Sequence, residues 1–505
     1  MKGSKYMDLI TAKKIKKEYT YWKWQINANE TFTEEMTIFT LTGKNVTYAL
    51  AALESGHLAH IYYGKRADDE DLSYLMRLNE NPFVPKVNER DMGTFMDTTP
   101  FEYPCHGIGD YREPAVSIMD EKGMTALDLR FVSYEMIDGK PELYQQLEDC
   151  TVRLPATFAA KDEAQTLAIT MKDTHSGLTA ILYYTVFADL NAITRSVKFI
   201  NGGDKAFKLT RALSACVDFD SDQYDFITLN GSWARERVME RCRLHHGKQS
   251  IDSVKGESSH QNNPFAALVS HNADEDMGEA YGFNLVYSGN FFAQAEVTQH
   301  KKTRFVMGIN HFDFSWKLEP AQEFTAPEVV MVYSDKGIGE MSRTFHDLYR
   351  QHIIRGEYKD KRRPILINNW EATYFNFNTE KLIDIAKQAS QLGIEMLVMD
   401  DGWFGHRNDD KSSLGDWFVN EDKIKGGLKH LVDEVNKLGL KFGIWFEPEM
   451  ISPDSELYKA HPDWCIHIPG RPRTTCRSQL VIDFSRKDVR DYIYGQMYKI
   501  LDSAN

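Results

Sequence analysis

Three short strings in the last third of the chain hold most of the residues suited to chemistry: NNWEATYF from Asn368, MDDGWFG from Met399 and WFEPEM from Trp445. Each joins carboxylates or amides to an aromatic ring. Carboxylates accept hydrogen bonds from hydroxyls, and an aromatic face packs on the C–H side of a sugar ring, so the mixture suits a neutral, polyhydroxylated ligand. Asp400–Asp401 would serve a divalent cation as well, and Asp400 has a plain structural use as the cap of the turn after it. Glycosidic cleavage asks for more: two facing carboxyl groups, roughly 5–5.5 Å apart for retention and roughly 6.5–9.5 Å for inversion. The acids on offer are Asp400, Asp401, Glu447 and Glu449. Neighbours along a strand point to opposite faces, which makes Asp400 and Asp401 a poor opposed pair and a better pair of hydroxyl acceptors. Spacing assigns neither nucleophile nor acid.

Two other clusters read as bland. Cys242, His245 and His246 lack further ligands at zinc spacing and suit a surface loop. Cys476 sits beside Arg477 with no histidine partner in sight.

The strings lie where a repeating pattern would place strand ends. After Pro364, Ile365–Asn368 reads as a buried strand. A helix over 380–392 follows, capped by Asn378 or Thr379, with Leu382, Ile385, Ala386, Ala389 and Leu392 on one face and Gly393 as its stop. Strand 394–399 comes next. A second helix, carrying Leu428, Leu431, Val432, Val435 and Leu438, leads through Gly439 into strand 440–446. A third starts near Arg486 with Ser485 and Asp488 placed as a cap pair. Apolar strands alternating with helices mean parallel strands covered by helices: a (β/α) barrel or an open doubly wound sheet. Neither GxGxxG nor GxxxxGK[ST], the turns of the nucleotide-binding sheets, occurs.

Residues 1–335 follow another grammar. Leu127, Leu129 and Phe131 alternate with Asp128 and Arg130, and Leu167, Ile169 and Met171 repeat the period of two. Many such strands predict a large antiparallel sandwich. A helix from Gly337 to His352 and the basic run Lys359–Arg363 form a helical linker over 336–364, ahead of 365–505.

Lys and Arg number 60 against 74 Asp and Glu, a formal net charge of −14. Such a field repels phosphates, which excludes nucleic acid and anionic membrane as general partners. No apolar run is long enough to span a bilayer, and the basic start lacks the apolar stretch of a secretory signal. Six cysteines without a CxxC pair predict reduced thiols and a cytoplasmic setting.

The strings NNWEATYFNF, LVMDDGWFGHR, FGIWFEPEMISPDS and CRSQLVIDFS, with YPCHGIGDYREPA from Tyr103 and HIYYGKR from His60, resemble the bacterial α-galactosidases of glycoside hydrolase family 36. The resemblance implies a multidomain β plus α/β chain: an N-terminal β-supersandwich followed by the first three βα units of a (β/α)8 TIM barrel. It implies retaining hydrolysis of terminal α-1,6-linked galactose from melibiose- and raffinose-type oligosaccharides by a homotetramer, without metal or cofactor. Carried over by motif, Asp400 and Asp401 are the acids that accept from galactose hydroxyls. Trp370 and Trp445 are the aromatic walls, and Arg477 contacts substrate through a planar fork that Lys could not reproduce. The His60–Arg66 and Gly107–Arg112 segments resemble loops that reach an active site.

The family's nucleophile belongs to a Lys-Trp-Asp motif on the fourth barrel strand, with the acid/base aspartate later. Neither is in this sequence. The portion after Pro364 is also well short of the ~250 residues of a typical eight-stranded barrel. The expectation is therefore the front part of a longer enzyme, inert by itself. A naturally silent sugar-binding or scaffold protein, and an α-N-acetylgalactosaminidase, are the alternatives.

Overall fold

The computed structural model describes residues 8–23, 28–68, 71–76 and 96–504, and the chain divides into two compact units, Met1–Arg355 and Gly356–Asn505.

The first unit is built from antiparallel ladders: a four-stranded sheet, Ile10–Lys23 through Leu58–Lys65 in sequence order, a ten-stranded sheet and a six-stranded sheet. Alternation explains the pairing. Leu167, Ile169 and Met171 on strand Ala164–Lys172 stand opposite Tyr184, Leu182 and Ala180 on strand Leu178–Phe187, and all six are buried. The turn between them is fixed by Asp173, whose carboxylate accepts from the His175 amide at 3.0 Å and the Ser176 hydroxyl at 2.8 Å. Gly177 closes it at φ 77°, where a Cβ would sit 2.5 Å from the Gly203 backbone, so no larger residue fits.

Buried charge ties distant strands together. Arg304 donates to Asp218 through Nε (2.7 Å) and Nη2 (2.9 Å), and to Asp110 through Nη1 at 3.0 Å; Arg112 grips the same Asp110 at 2.8 Å. Glu102, wholly buried, accepts from Tyr48 and Tyr184, is ion-paired with Arg195 at 2.9 Å and lies 3.0 Å from His60 Nδ1. The segment from His60 through Lys65, expected as a loop, is thus strand, and Asp110 and Arg112 lie inside this polar core.

Helix Gly337–His352 buries Met341, Phe345 and Leu348 among residues such as Ala280, Val330 and Val332. Gly282 permits the approach, since a Cβ there would sit 2.6 Å from Phe345. An apolar face of this width needs a sheet to cover it. The helix expected within a 336–364 linker therefore belongs to the first unit, and the division falls after Arg355.

In the second unit, strands Leu366–Asn368, Met396–Met399 and Lys441–Ile444 form a parallel sheet in that order. Helices Thr379–Gln391 and Gly427–Lys437 connect them, burying the Leu382/Ala386/Ala389 and Leu428/Leu431/Val435 stripes. Asn378 caps the first, accepting from the Lys381 amide at 2.9 Å. Two expectations need correction. Ile365 and Leu366 are half exposed, because an apolar run reports strand type and not which strand ends up at an edge. Helix Lys487–Asp502 has no side-chain cap from its N-cap residue: the Ser485 hydroxyl turns to Asp483 at 2.6 Å, and Asp488 pairs with Arg486 at 2.8 Å and accepts from the amide of its neighbour Val489 at 3.0 Å, so the two do not close on each other as a cap pair. No helix among the described residues is long and apolar enough to cross a membrane.

Candidate functional site

Parallel register fixes what the strand ends share. Asn368 pairs with Val398, and Val398 with Gly443. Two residues further along, Trp370, Asp400 and Trp445 fall in one row, on the side where the strand ends of such sheets gather chemistry. Hydrogen bonds hold the row. Asn369 Oδ1 accepts from the Asp400 amide at 2.8 Å, and the Trp445 amide donates to the Met399 carbonyl at 3.0 Å.

Each acid in the row is oriented differently. Asp400 is part-exposed; its Oδ2 accepts from Asn368 Nδ2 at 2.5 Å and its Oδ1 from the Asp401 amide at 2.7 Å. It caps its own turn and still keeps two of the roughly four acceptor sites of a carboxylate. Asp401 is buried against a fully buried Arg407, which donates to both oxygens, Nε at 2.9 Å and Nη2 at 2.8 Å. That fork–fork geometry aims the carboxylate and leaves one lone pair on each oxygen.

Trp370 opens the short helix Trp370–Thr373, its ring edge-on to Tyr374 (5.3 Å) and Phe375 (5.0 Å). Tyr374 stands at φ 47° and is half exposed, an uncommon backbone for a bulky residue at the lip of the site. Trp445 is half-buried and lies parallel to Phe404 at 6.5 Å. Trp403 is core, its indole N–H donating to the Trp445 carbonyl at 3.0 Å.

Lys423 joins the loops beneath. Its ammonium donates to the carbonyls of Phe375, Gly402 and Arg407, each at 3.0 Å, so all three of its protons are used. Burial lowers its pKa, with the Asp401 charge opposing. On the third strand end, Glu447 keeps one carboxyl oxygen, Oε2, buried without a partner. Burial raises its pKa, and the neighbouring Glu449 charge adds to the rise against the fields of Arg477 and Arg407.

Arg477 is exposed and reaches the group through the Asp410 loop, Nε to Oδ2 at 3.4 Å, and through its field on Glu447. It occupies the turn Cys476–Gln479, closed by the Gln479 amide on the Cys476 carbonyl at 2.9 Å. Arg477 (φ 52°) and Ser478 (φ 61°) are both left-handed, at about 1–2 kcal/mol each for such residues. Strain of this kind collects where a side chain must be aimed.

The structure thus joins Trp370, Asp400, Asp401 and Trp445 directly and Arg477 indirectly. Sequence reasoning missed Arg407 and Lys423. Arg407 was visible inside LVMDDGWFGHR as the one cation of the string; Lys423 left no signal. Among the described residues no three His, Cys, Asp or Glu side chains gather as a metal site.

Comparison with known proteins gives the context. The model of the glycosyl hydrolase family 36 N-terminal domain matches residues 56–319, and the melibiase model matches residues 323–505. The chain is 50% identical to α-galactosidase AgaA of Geobacillus stearothermophilus over 92% of its own length and 63% of AgaA. It is 44% identical to α-galactosidase Mel36A of Lactobacillus acidophilus, over 94% of this chain and 64% of that one. A crystal structure of an AgaA variant in complex with raffinose superposes with a TM-score of 0.89, covering 92% of this chain and 64% of that one. The chain therefore spans a little under two thirds of the relatives it matches. With the N-terminal-domain model alone covering more than half of its residues, and the melibiase model running from there to the strand ends just described, this chain belongs to glycosyl hydrolase family 36.

Proposed function

We propose that this chain carries the galactose-binding side of a retaining α-galactosidase site that acts on terminal α-1,6-linked galactose in raffinose- and melibiose-type oligosaccharides. The observation that carries the reading is the 50% identity, over 92% of the chain, to a family α-galactosidase whose structure was solved with raffinose. The row of Trp370, Asp400 and Trp445 supports it with the right chemistry. Indole faces take the C–H side of the sugar, and Asp400 and Asp401 offer free acceptor sites to hydroxyls already fixed in direction by Asn368 and Arg407. Arg477 is the outer contact. The parallel strands and their helical crossovers are read as the first three βα units of a (β/α)8 barrel, supported by their order and by chemistry gathered at their ends.

In this reading the nucleophile and the acid/base lie outside these residues, and no metal or cofactor takes part. Six free cysteines support a reducing, cytoplasmic setting. The homotetramer rests on the family resemblance. Calorimetric titration with raffinose tests the binding role: the chain should bind, and Trp370→Ala or Asp400→Ala should each remove binding without unfolding the unit. Nitrophenol release from p-nitrophenyl α-galactoside by the 505-residue chain would refute the placing of the bond-breaking pair elsewhere.

A further inference from the structure

The chain reverses sharply just after Trp370. Helix Trp370–Thr373 ends at Tyr374, with φ 47° and ψ −131°. That combination lies outside the helical and extended regions and belongs to glycine, so a residue with a Cβ is strained there. Tyr374 is the one aromatic among the described non-glycine residues of positive φ. Hydrogen bonds on either side hold it in place. Its amide donates to the Trp370 carbonyl at 2.7 Å and the Asn376 amide to the Thr373 carbonyl at 2.9 Å, while the Thr373 hydroxyl is tied to Asn369.

The bend brings two consecutive rings onto one indole. Tyr374 meets Trp370 edge-on at 5.3 Å and 81°, and Phe375 does so at 5.0 Å and 88°, a favourable aromatic geometry. Neighbouring side chains diverge in a helix and point to opposite faces in a strand, so neither regular backbone would deliver both. Phe375 is held by partners of its own. Its carbonyl accepts from Lys423 at 3.0 Å, its ring lies 5.7 Å from the Arg407 guanidinium, and a Cβ on Gly402 would sit 2.9 Å from its Cδ1. Tyr374 has no such backing: it is 53% exposed, and its hydroxyl reaches Glu371 only at 3.3 Å. Burial of its own ring therefore does not account for the strain, whereas the contact with Trp370 does.

We infer that Tyr374 is a positioning residue for Trp370 in the galactose-binding role given to that ring above, on which this rests: with Phe375 it locks the indole in one orientation before sugar arrives. A ring already immobile loses no freedom on binding. Fixing one mobile side chain costs about 2- to 10-fold in affinity.

Fluorotryptophan is incorporated into the 505-residue chain, the Trp370 line is identified as the one that Trp370→Phe removes, and raffinose is titrated by calorimetry. In the parent the line should be single, with the relaxation of a rigid ring. Tyr374→Gly and Tyr374→Ala should each shift it toward a freely turning indole and weaken raffinose about 2- to 10-fold. Tyr374→Phe, which keeps ring and backbone, should restore both. Glycine relieves the backbone and alanine does not, so the glycine variant should unfold at the higher urea concentration, the reverse of their usual order. The role falls if the Trp370 line is unmoved in the glycine and alanine variants, or if it moves while raffinose binds as it does to the parent. An alanine variant more stable than the glycine one would show an unstrained backbone and overturn the role as well. A parent that binds no raffinose refutes the galactose reading itself and this role with it, an outcome visible without any change at Tyr374.

Discussion

Each unit buries an arginine–aspartate fork, and the two forks have different surroundings. In the sandwich, Arg304 spans Asp218 and Asp110, and Arg112 takes Asp110 from the other side, so that every group faces another group of the same cluster. At the strand ends, Arg407 grips Asp401, with its remaining Nη1 on the Ser412 carbonyl and no second carboxylate; next to it Asp400 is part-exposed and Glu447 keeps a bare oxygen. The chemistry of the contact is the same. What separates a structural carboxylate from a ligand-binding one is the number of acceptor sites left over after folding.

The sharpest way to break that contrast is to cut both forks. Arg304→Met takes both close partners from Asp218 while Arg112 still holds the buried Asp110, and should cost about 3–5 kcal/mol of stability, read by urea denaturation; a loss below about 1 kcal/mol would show that the sandwich cluster is idle. Asp401→Asn should lower kcat/KM for raffinose at least ~100-fold in the complete enzyme, about 2.7 kcal/mol of transition-state binding. An unchanged value removes Asp401 from the site.

Acid separates the units in a third way. Burial alone would raise Glu113, but Arg211 and Lys248 outweigh it and bring it down to about 2; His57 and Arg130 do the same for Asp128, also to about 2. Their folded pKa values lie below the unfolded ones, so the stability they confer is present above about pH 4 and is lost as the pH falls toward 2. In the second unit burial raises Asp416 and Glu447, whose ionisation opposes folding, so their contribution improves in acid. Hydrogen exchange between pH 4.5 and 2 should therefore show sandwich peptides opening before strand-end peptides; the reverse order would contradict the charge assignment. The smallest effect belongs to Arg477. It is exposed and its Asp410 pair is long, so Arg477→Ala should change stability by less than about 1 kcal/mol while raising KM.

Local rules carried much of this into the sequence. Period-two alternation marked the hairpin of Ala164–Lys172 and Leu178–Phe187, and Asn378 announced its helix. The failures share a cause. Asp110 and Arg304 are 194 residues apart, and no local pattern can join them. Ser485 and Asp488 fit a capping motif but found nearer partners. The site's carboxylates and rings were legible because they sit in three compact strings. Lys423 was not, because its partners are backbone carbonyls from three loops, and carbonyls have no letter in a sequence.

That lysine has a further consequence. Carbonyl oxygens converging on one cation form part of the oxygen shell by which proteins hold calcium, but here the cation is covalently part of the chain. It cannot be leached or exchanged by the ions around it. The same arrangement exposes the assembly to a different hazard: acylating that single amine would remove the charge and two of its three donors together, and the loops at the strand ends would lose their common anchor.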